Sequence, residues 1–236
     1  MSFGILYISF GDTYVDCTIA AIKSKIANAP KTPAMVLSNR PQDINSEICK
    51  RNNIEVKIVD APQSDVRAYK TQAYKYTPWD YTLMLDADAW INKELAGEFC
   101  LLDSTPLALV HAYHHPSIGT AHHIGPQDRE MTVKALHGAR WLPHYASGVM
   151  FFRKDDPRVQ KLFDTWYKEW QILRTKDQAA LIRAIVMTQV FPMVLWRDHW
   201  LTAMQGKGFI SHRFGHDLPS MPRKDARSPR KYRSIP

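Results

Sequence analysis

Tyr81-Thr82-Leu83-Met84-Leu85 is an uncharged, mostly apolar run that stops abruptly at Asp86-Ala87-Asp88. A short run of this kind, without hydrophobic alternation, has the pattern of a strand covered on both faces, as in a parallel α/β sheet. Three strand-like segments precede it, at 4–10, 34–37 and 54–59, separated by helical ones at 15–26, 42–52 and 65–76. The first helix carries Ile19, Ile22 and Ile26 at helical spacing, and Pro41 opens the second. Strands alternating with helices predict an α/β fold whose central sheet is mostly parallel, flanked by helices and joined by right-handed crossovers. Ligands in such sheets bind beyond the carboxyl ends of the strands, where Asp86 and Asp88 fall. Residues two apart lie on the same side of an extended segment, so the two carboxylates can converge on one hard cation. Mg²⁺ or Mn²⁺ carrying a phosphorylated ligand is the matching guest. A strand end with two ordinary turn aspartates would have the same sequence.

Beyond Asp88 the pattern loosens. A short helix is expected over 92–100, a strand over 106–113, a loop-rich stretch over 114–144 and a strand over 147–152. A long helix then runs over about 157–170, with Val159, Leu162, Phe163, Trp166 and Trp170 as one apolar stripe, and Lys176-Asp177-Gln178 opens another. At 236 residues the chain is long enough for one domain with a substantial core. No stretch reaches the length of a membrane-spanning helix. The apolar run Met1–Phe10 lacks a basic leader and a small-residue cleavage site, and reads as a first strand rather than a signal peptide. Cys17, Cys49 and Cys100 form no CxxC pair, which fits a reduced, cytoplasmic compartment. Of the net charge of +8, five units belong to residues 221–236, where six basic residues face Asp225 alone. That proline-interrupted tail is either an arm for a polyanion such as nucleic acid or a solubilising terminus.

The motifs combine into a resemblance. Lys70-Thr71 followed by the segment Pro78–Trp90 is similar to the region ending in the DxD motif of metal-dependent nucleotide-sugar glycosyltransferases. Tyr145–Phe152 resembles their SGV strand, Lys176–Leu181 their DQ helix start, and Ile210–Gly215 the carboxyl-terminal His-containing motif of glycosyltransferase family 8. These features fall in family order. The resemblance implies a single GT-A-like, Rossmann-like domain over 1–220, with a nucleotide-binding half (1–90) and an acceptor and donor-sugar half (91–220), followed by the basic tail 221–236. It implies transfer of a sugar from a nucleotide-diphosphate sugar, a UDP-sugar above all, to a hydroxyl, with retention of configuration. Asp86, Asp88 and His212 would hold Mn²⁺ or Mg²⁺. Ser9, Phe10, Gly11 and Asp12 would receive the nucleoside, together with Lys70, Asp86, Ala87 and Asp88 around the donor. Ser147, Gly148, Asp177 and Gln178 would face the donor sugar and acceptor, the last two as the catalytic pair.

Two departures stand out. Gly215 is followed by His216-Asp217-Leu218-Pro219, where the family carries a phosphate-binding lysine, leaving Arg213, Arg223 or Lys224 as substitutes. Ala146 replaces the asparagine that often precedes the SGV strand. Seven of the ten histidines, His111, His114, His115, His122, His123, His137 and His144, are confined to residues 111–144. They read as an acceptor-side surface, a polar loop or, without an HExxH motif, a weak zinc site. Two other functions compete. A haloacid-dehalogenase-type phosphohydrolase also uses DxD after an apolar strand, but there the pair ends the first strand. A non-catalytic nucleic-acid-binding module would explain the charge but not the motifs. A transferase whose acceptor is a hydroxylated base in DNA, single-stranded or flipped out, would combine motifs and tail; the competing acceptors are a lipopolysaccharide or other glycan, or a protein.

Overall fold

In the computed structural model of the chain the described residues are 2–44, 46–95, 97–112, 124–138, 144–202 and 208–212. The amino-terminal half alternates as expected: β1 (Phe3–Ser9), α1 (Asp12–Asn28), β2 (Ala34–Ser38), α2 (Ser46–Arg51), β3 (Ile54–Ile58), α3 (Val66–Lys70) and β4 (Tyr81–Asp86). The chain continues with β5 (Ala89–Ile91), α4 (Leu101–Ser104), β6 (Leu107–His111), α5 (Pro126–Ala135), β7 (Tyr145–Arg153), α6 (Pro157–Leu173) and α7 (Asp177–Thr188). It ends with β8 (Met193–Leu195), α8 (Arg197–Trp200), β9 (Leu201–Thr202) and β10 (Ile210–His212).

Seven strands make the main sheet in the order β3-β2-β1-β4-β7-β6-β8, and β7 alone runs antiparallel to its neighbours. The apolar runs of β1 and β4 follow from covering both faces. Ile5, Tyr7, Leu83 and Leu85 join a core with Ala21 and Ile22 of α1, while Leu6, Ile8 and Met84 join a second core with α6 and α7. The α6 stripe is buried as its spacing predicts, with Trp166 fully enclosed. Asp156 caps that helix by accepting from the Arg158 N–H at 2.9 Å, and Pro157 occupies the first turn. A second sheet, β5-β10-β9, packs beside α1.

Several expected helices are shorter. The helix expected over 65–76 breaks after Lys70, where the Thr71 hydroxyl bonds back to the carbonyls of Arg67 and Ala68. Such back-bonding competes with helix propagation. The helix expected over 42–52 is a 3₁₀ turn at Pro41–Asp43 and then α2, because Ile44 turns into the core between them. The 92–100 helix is a 3₁₀ turn at Glu98–Cys100 leading into α4. Within the stretch expected to be loop lies α5. Its inward side includes Asp128 and Thr132, which face Arg183 of α7, so apolar periodicity does not reveal it.

Candidate functional site

Strand order reverses direction between β1 and β4: β2 lies on one side of β1 and β4 on the other. That is a topological switch point, where the carboxyl ends of adjacent parallel strands open a crevice. Asp86 ends β4 opposite Ile8 of β1. Asp88 leads into β5, whose antiparallel pairing with β10 sets His212 beside Ala89 and so next to the carboxylates. His212 Nε2 lies 3.0 Å from Asp88 Oδ1 and 3.8 Å from Asp86 Oδ2. Ligand atoms of the three side chains all fall within 4.8 Å of one another, the one such group found among the described residues.

The antiparallel strand β7 delivers the opposite wall. Its register with β6 shifts by three residues between Leu109–Met150 and Val110–Ala146, so Ser147, Gly148 and Val149 bulge away from that partner. A bulge re-aims side chains without ending the sheet. Gly148 reaches the carboxylate cluster as a result: a Cβ there would collide with Asp86 Oδ2 and lie 2.7 Å from His212 Cε1. Glycine is thus required by space. The two carboxylates and the imidazole, kept clear by that glycine and opening on the crevice, fit a divalent cation. A mixed oxygen and nitrogen donor set suits Mn²⁺ better than Ca²⁺, whose sites are built from oxygens.

On the same crevice, Lys70 is buried and central. Its ammonium lies 2.8 Å from Asp86 Oδ1, 3.2 Å from Asp177 Oδ2 and 3.2 Å from Ser147 Oγ. Burial alone would lower its pKa, yet Asp177 and Asp86 outweigh burial and raise it. Asp177 shows the reciprocal balance. Burial pushes its carboxyl up, but Lys70, a Ser147 hydrogen bond and Arg67 bring the net shift below the usual value. Lys70 and Asp177 are therefore a charged pair at neutral pH. The α7 start is fixed by the Trp166 indole, which donates to the Asp177 carbonyl at 2.8 Å, and Gln178 donates to the Tyr145 carbonyl at 3.4 Å.

The crevice lining brings together Phe10, Lys70, Asp86, Ala87, Asp88, Ser147, Gly148, Asp177, Gln178 and His212 of the expected site residues. Ser9, Gly11 and Asp12 lie outside that lining. The Ser9 hydroxyl is buried and accepts from Thr18, the Gly11 N–H donates to Asn39 Oδ1, and Asp12 pairs at the surface with Arg40. Among the lining residues that sequence reasoning did not assign to the site, three carry polar or charged groups: Tyr14, Arg67 and Lys176. Tyr14 follows the strand-to-helix turn by one helical step, a signal that was available. Nothing in the sequence separates Arg67 or Lys176 from ordinary solvated cations.

Of the histidine-rich segment, His111 ends β6 half-buried, His144 is fully buried and His137 is exposed. His114, His115, His122 and His123 lie outside the described residues, as do Arg213, Gly215 and the tail 221–236. No described helix is long and apolar enough to cross a membrane.

No protein-family model matches the chain, and no curated protein matches its sequence. Solved structures match in fold, among them the apo form of mouse xyloside xylosyltransferase 1, which superposes with a TM-score of 0.61, covering 90% of this chain and 97% of that one. With 12% identity the likeness is one of fold. The fold is GT-A-like, a mixed α/β domain built on a mostly parallel seven-stranded sheet flanked by helices.

Proposed function

We propose that the protein is a divalent-metal-dependent glycosyltransferase that moves a sugar from a nucleotide-diphosphate donor to a hydroxyl acceptor with retention of configuration. One observation carries this reading: the Asp86, Asp88 and His212 cluster sits at the switch point of a GT-A-like sheet, joined through Lys70 to a buried, ionised Asp177. Asp86, Asp88 and His212 would hold Mn²⁺ or Mg²⁺, which when bound supplies positive charge to the donor's diphosphate. Phe10 and Tyr14, both on the crevice lining, offer the nucleoside an aromatic wall.

In the transfer, the bond from the sugar's anomeric carbon to the diphosphate breaks and its electron pair leaves with the nucleoside diphosphate. The acceptor oxygen forms the new bond, and its proton passes to an oxygen of the departing phosphate. Positive charge develops at the anomeric carbon on the way. Asp177, held ionised by Lys70, offers that carbon a fixed negative group, and Gln178 and Ser147 offer hydrogen bonds to sugar hydroxyls. The catalytic domain is taken as 1–220 and the basic tail as 221–236. A hydroxylated base in nucleic acid is the acceptor that the tail's charge favours.

The experiment is a panel of UDP-sugars assayed for UDP release with Mn²⁺ and after chelation. UDP-xylose belongs in it because the structural neighbour is named a xylosyltransferase. Metal-dependent UDP release that is abolished by Asp88→Asn supports the reading. Metal-independent turnover, or full activity of that variant, overturns it, and release of inorganic phosphate instead would favour a phosphohydrolase.

A further inference from the structure

We infer that Arg67, assisted by Lys176, binds the diphosphate of the donor. This rests on the glycosyltransferase reading and names a contact within the same crevice. Lys70, the other lysine or arginine of the lining, is spent on Asp86, Asp177 and Ser147. Arg67 is differently placed. It is the second residue of the short helix α3, its side chain 39% exposed, and its nearest acid is Asp177 at 3.7 Å, beyond hydrogen-bond range. The Arg67 guanidinium makes no hydrogen bond to another described residue, so all five of its N–H donors remain for a ligand. Arg67 lines the crevice with Tyr14 and Asp177, and its charge acts on both. Lys176, at the N-cap of α7, is a second exposed cation on the lining, with no ion pair to a described residue.

Charge balance selects the diphosphate over other anionic groups. The lining holds three carboxylates, Asp86, Asp88 and Asp177, and three lysine or arginine cations, Lys70, Arg67 and Lys176. A bound divalent cation leaves the crevice with two positive charges in excess, which a nucleotide-diphosphate sugar, a dianion, neutralises. A donor with a sugar carboxylate would carry a third negative charge. A guanidinium offers phosphate two parallel donors, a geometry an ammonium lacks. As negative charge gathers on the departing diphosphate, that contact strengthens.

Calorimetric binding of UDP, UMP and uridine in Mn²⁺ tests the inference on the full chain, with thermal unfolding as a check on folding. Arg67→Ala is expected to weaken UDP binding at least tenfold, UMP less and uridine not at all. Arg67→Lys should restore only part of the loss, and Lys176→Ala should cost a few-fold. Equal UDP affinity in Arg67→Ala and the parent would overturn the inference while leaving the glycosyltransferase reading standing. If the parent binds no UDP, the reading itself fails. Comparing UDP-glucose with UDP-glucuronic acid separates the two anionic sources: a loss confined to the uronate would transfer Arg67 to the sugar and overturn the diphosphate assignment.

Discussion

Arg183 of α7 is almost wholly buried and is the hub of an ion-pair network that joins three helices. Its Nη1 lies 2.6 Å from Asp128 Oδ1 and 2.8 Å from Thr132 Oγ1 on α5, and its Nε lies 2.7 Å from Glu169 Oε2 on α6. Asp128 and Glu169 side chains are only 3% and 14% exposed. Replacing Arg183 with methionine keeps much of the volume but strands two carboxylates in a region with little access to water. Removing one partner of a buried pair costs about 3–5 kcal/mol. For a chain of this size each kcal/mol moves the melting temperature by about 2–4 °C, so Arg183→Met should melt roughly 6–20 °C below the parent. Adding Asp128→Asn and Glu169→Gln removes the stranded charges and should recover a clear part of that loss. Non-additivity of this sign identifies an electrostatic penalty rather than lost packing. Differential scanning calorimetry at neutral pH is the measurement. A loss under about 1 kcal/mol in Arg183→Met, or strictly additive losses in the triple variant, would refute the reasoning.

The remaining predictions concern the crevice. Gly148→Ala introduces a Cβ against Asp86 and His212, so Mn²⁺ binding followed by calorimetry should weaken at least tenfold while the melting temperature changes little; unchanged metal affinity would dismiss the steric role of that glycine. The lowered pKa of Asp177 makes its ion pair a contribution that is complete above the ordinary carboxylate range and is lost as pH falls through the lower folded value. The raised pKa of Lys70 makes the contribution of that residue complete below the ordinary lysine value and lost only at still higher pH. Asp177 should therefore stay ionised to below the ordinary carboxylate range, and in Lys70→Met burial acts on Asp177 without the ammonium, so its titration followed by carboxyl NMR should move upward; an unchanged titration would refute the ion pair. Truncation before Met221 removes six cations and should flatten the salt dependence of any nucleic-acid binding, by about 0.9 in log–log slope per lost duplex phosphate contact. An unchanged slope, or no binding by the full chain, would remove the tail from acceptor recognition.

The parts of the molecule legible in its sequence are those where one physical demand dominates. β1 and β4 are enclosed on both faces, so their composition is apolar whatever their partners are, and α6 packs a single side, so its stripe keeps helical spacing. Asp86 and Asp88 are legible for the same reason, as charges ending a run with no solvent to face. Elements that satisfy polar partners leave no such trace. α5 turns Asp128 and Thr132 inward to Arg183, and the hydrophobic pattern that would announce a helix is missing from its buried side. β5, β8, β9 and β10 are two or three residues long, too short for any periodicity.

His212 shows what only three dimensions supply. In sequence it is one histidine among ten, 124 residues after Asp88. Its place depends on a three-residue strand pairing with another that begins immediately after the DxD turn, so the backbone that sets out Asp88 is the backbone that receives His212. The same economy links the other half of the crevice. Lys70 stands just before the break in α3 caused by Thr71, Asp177 begins α7, and Ser147 lies in the bulge of β7, three elements remote in sequence that meet at one ammonium. Lys70 is the largest influence that keeps the buried Asp177 ionised, and Asp177 and Asp86 together keep the buried ammonium charged. Substituting Lys70 must therefore disturb the metal-binding end through Asp86 and the sugar end through Asp177 together. A defect confined to one end would contradict the shared role of that charge.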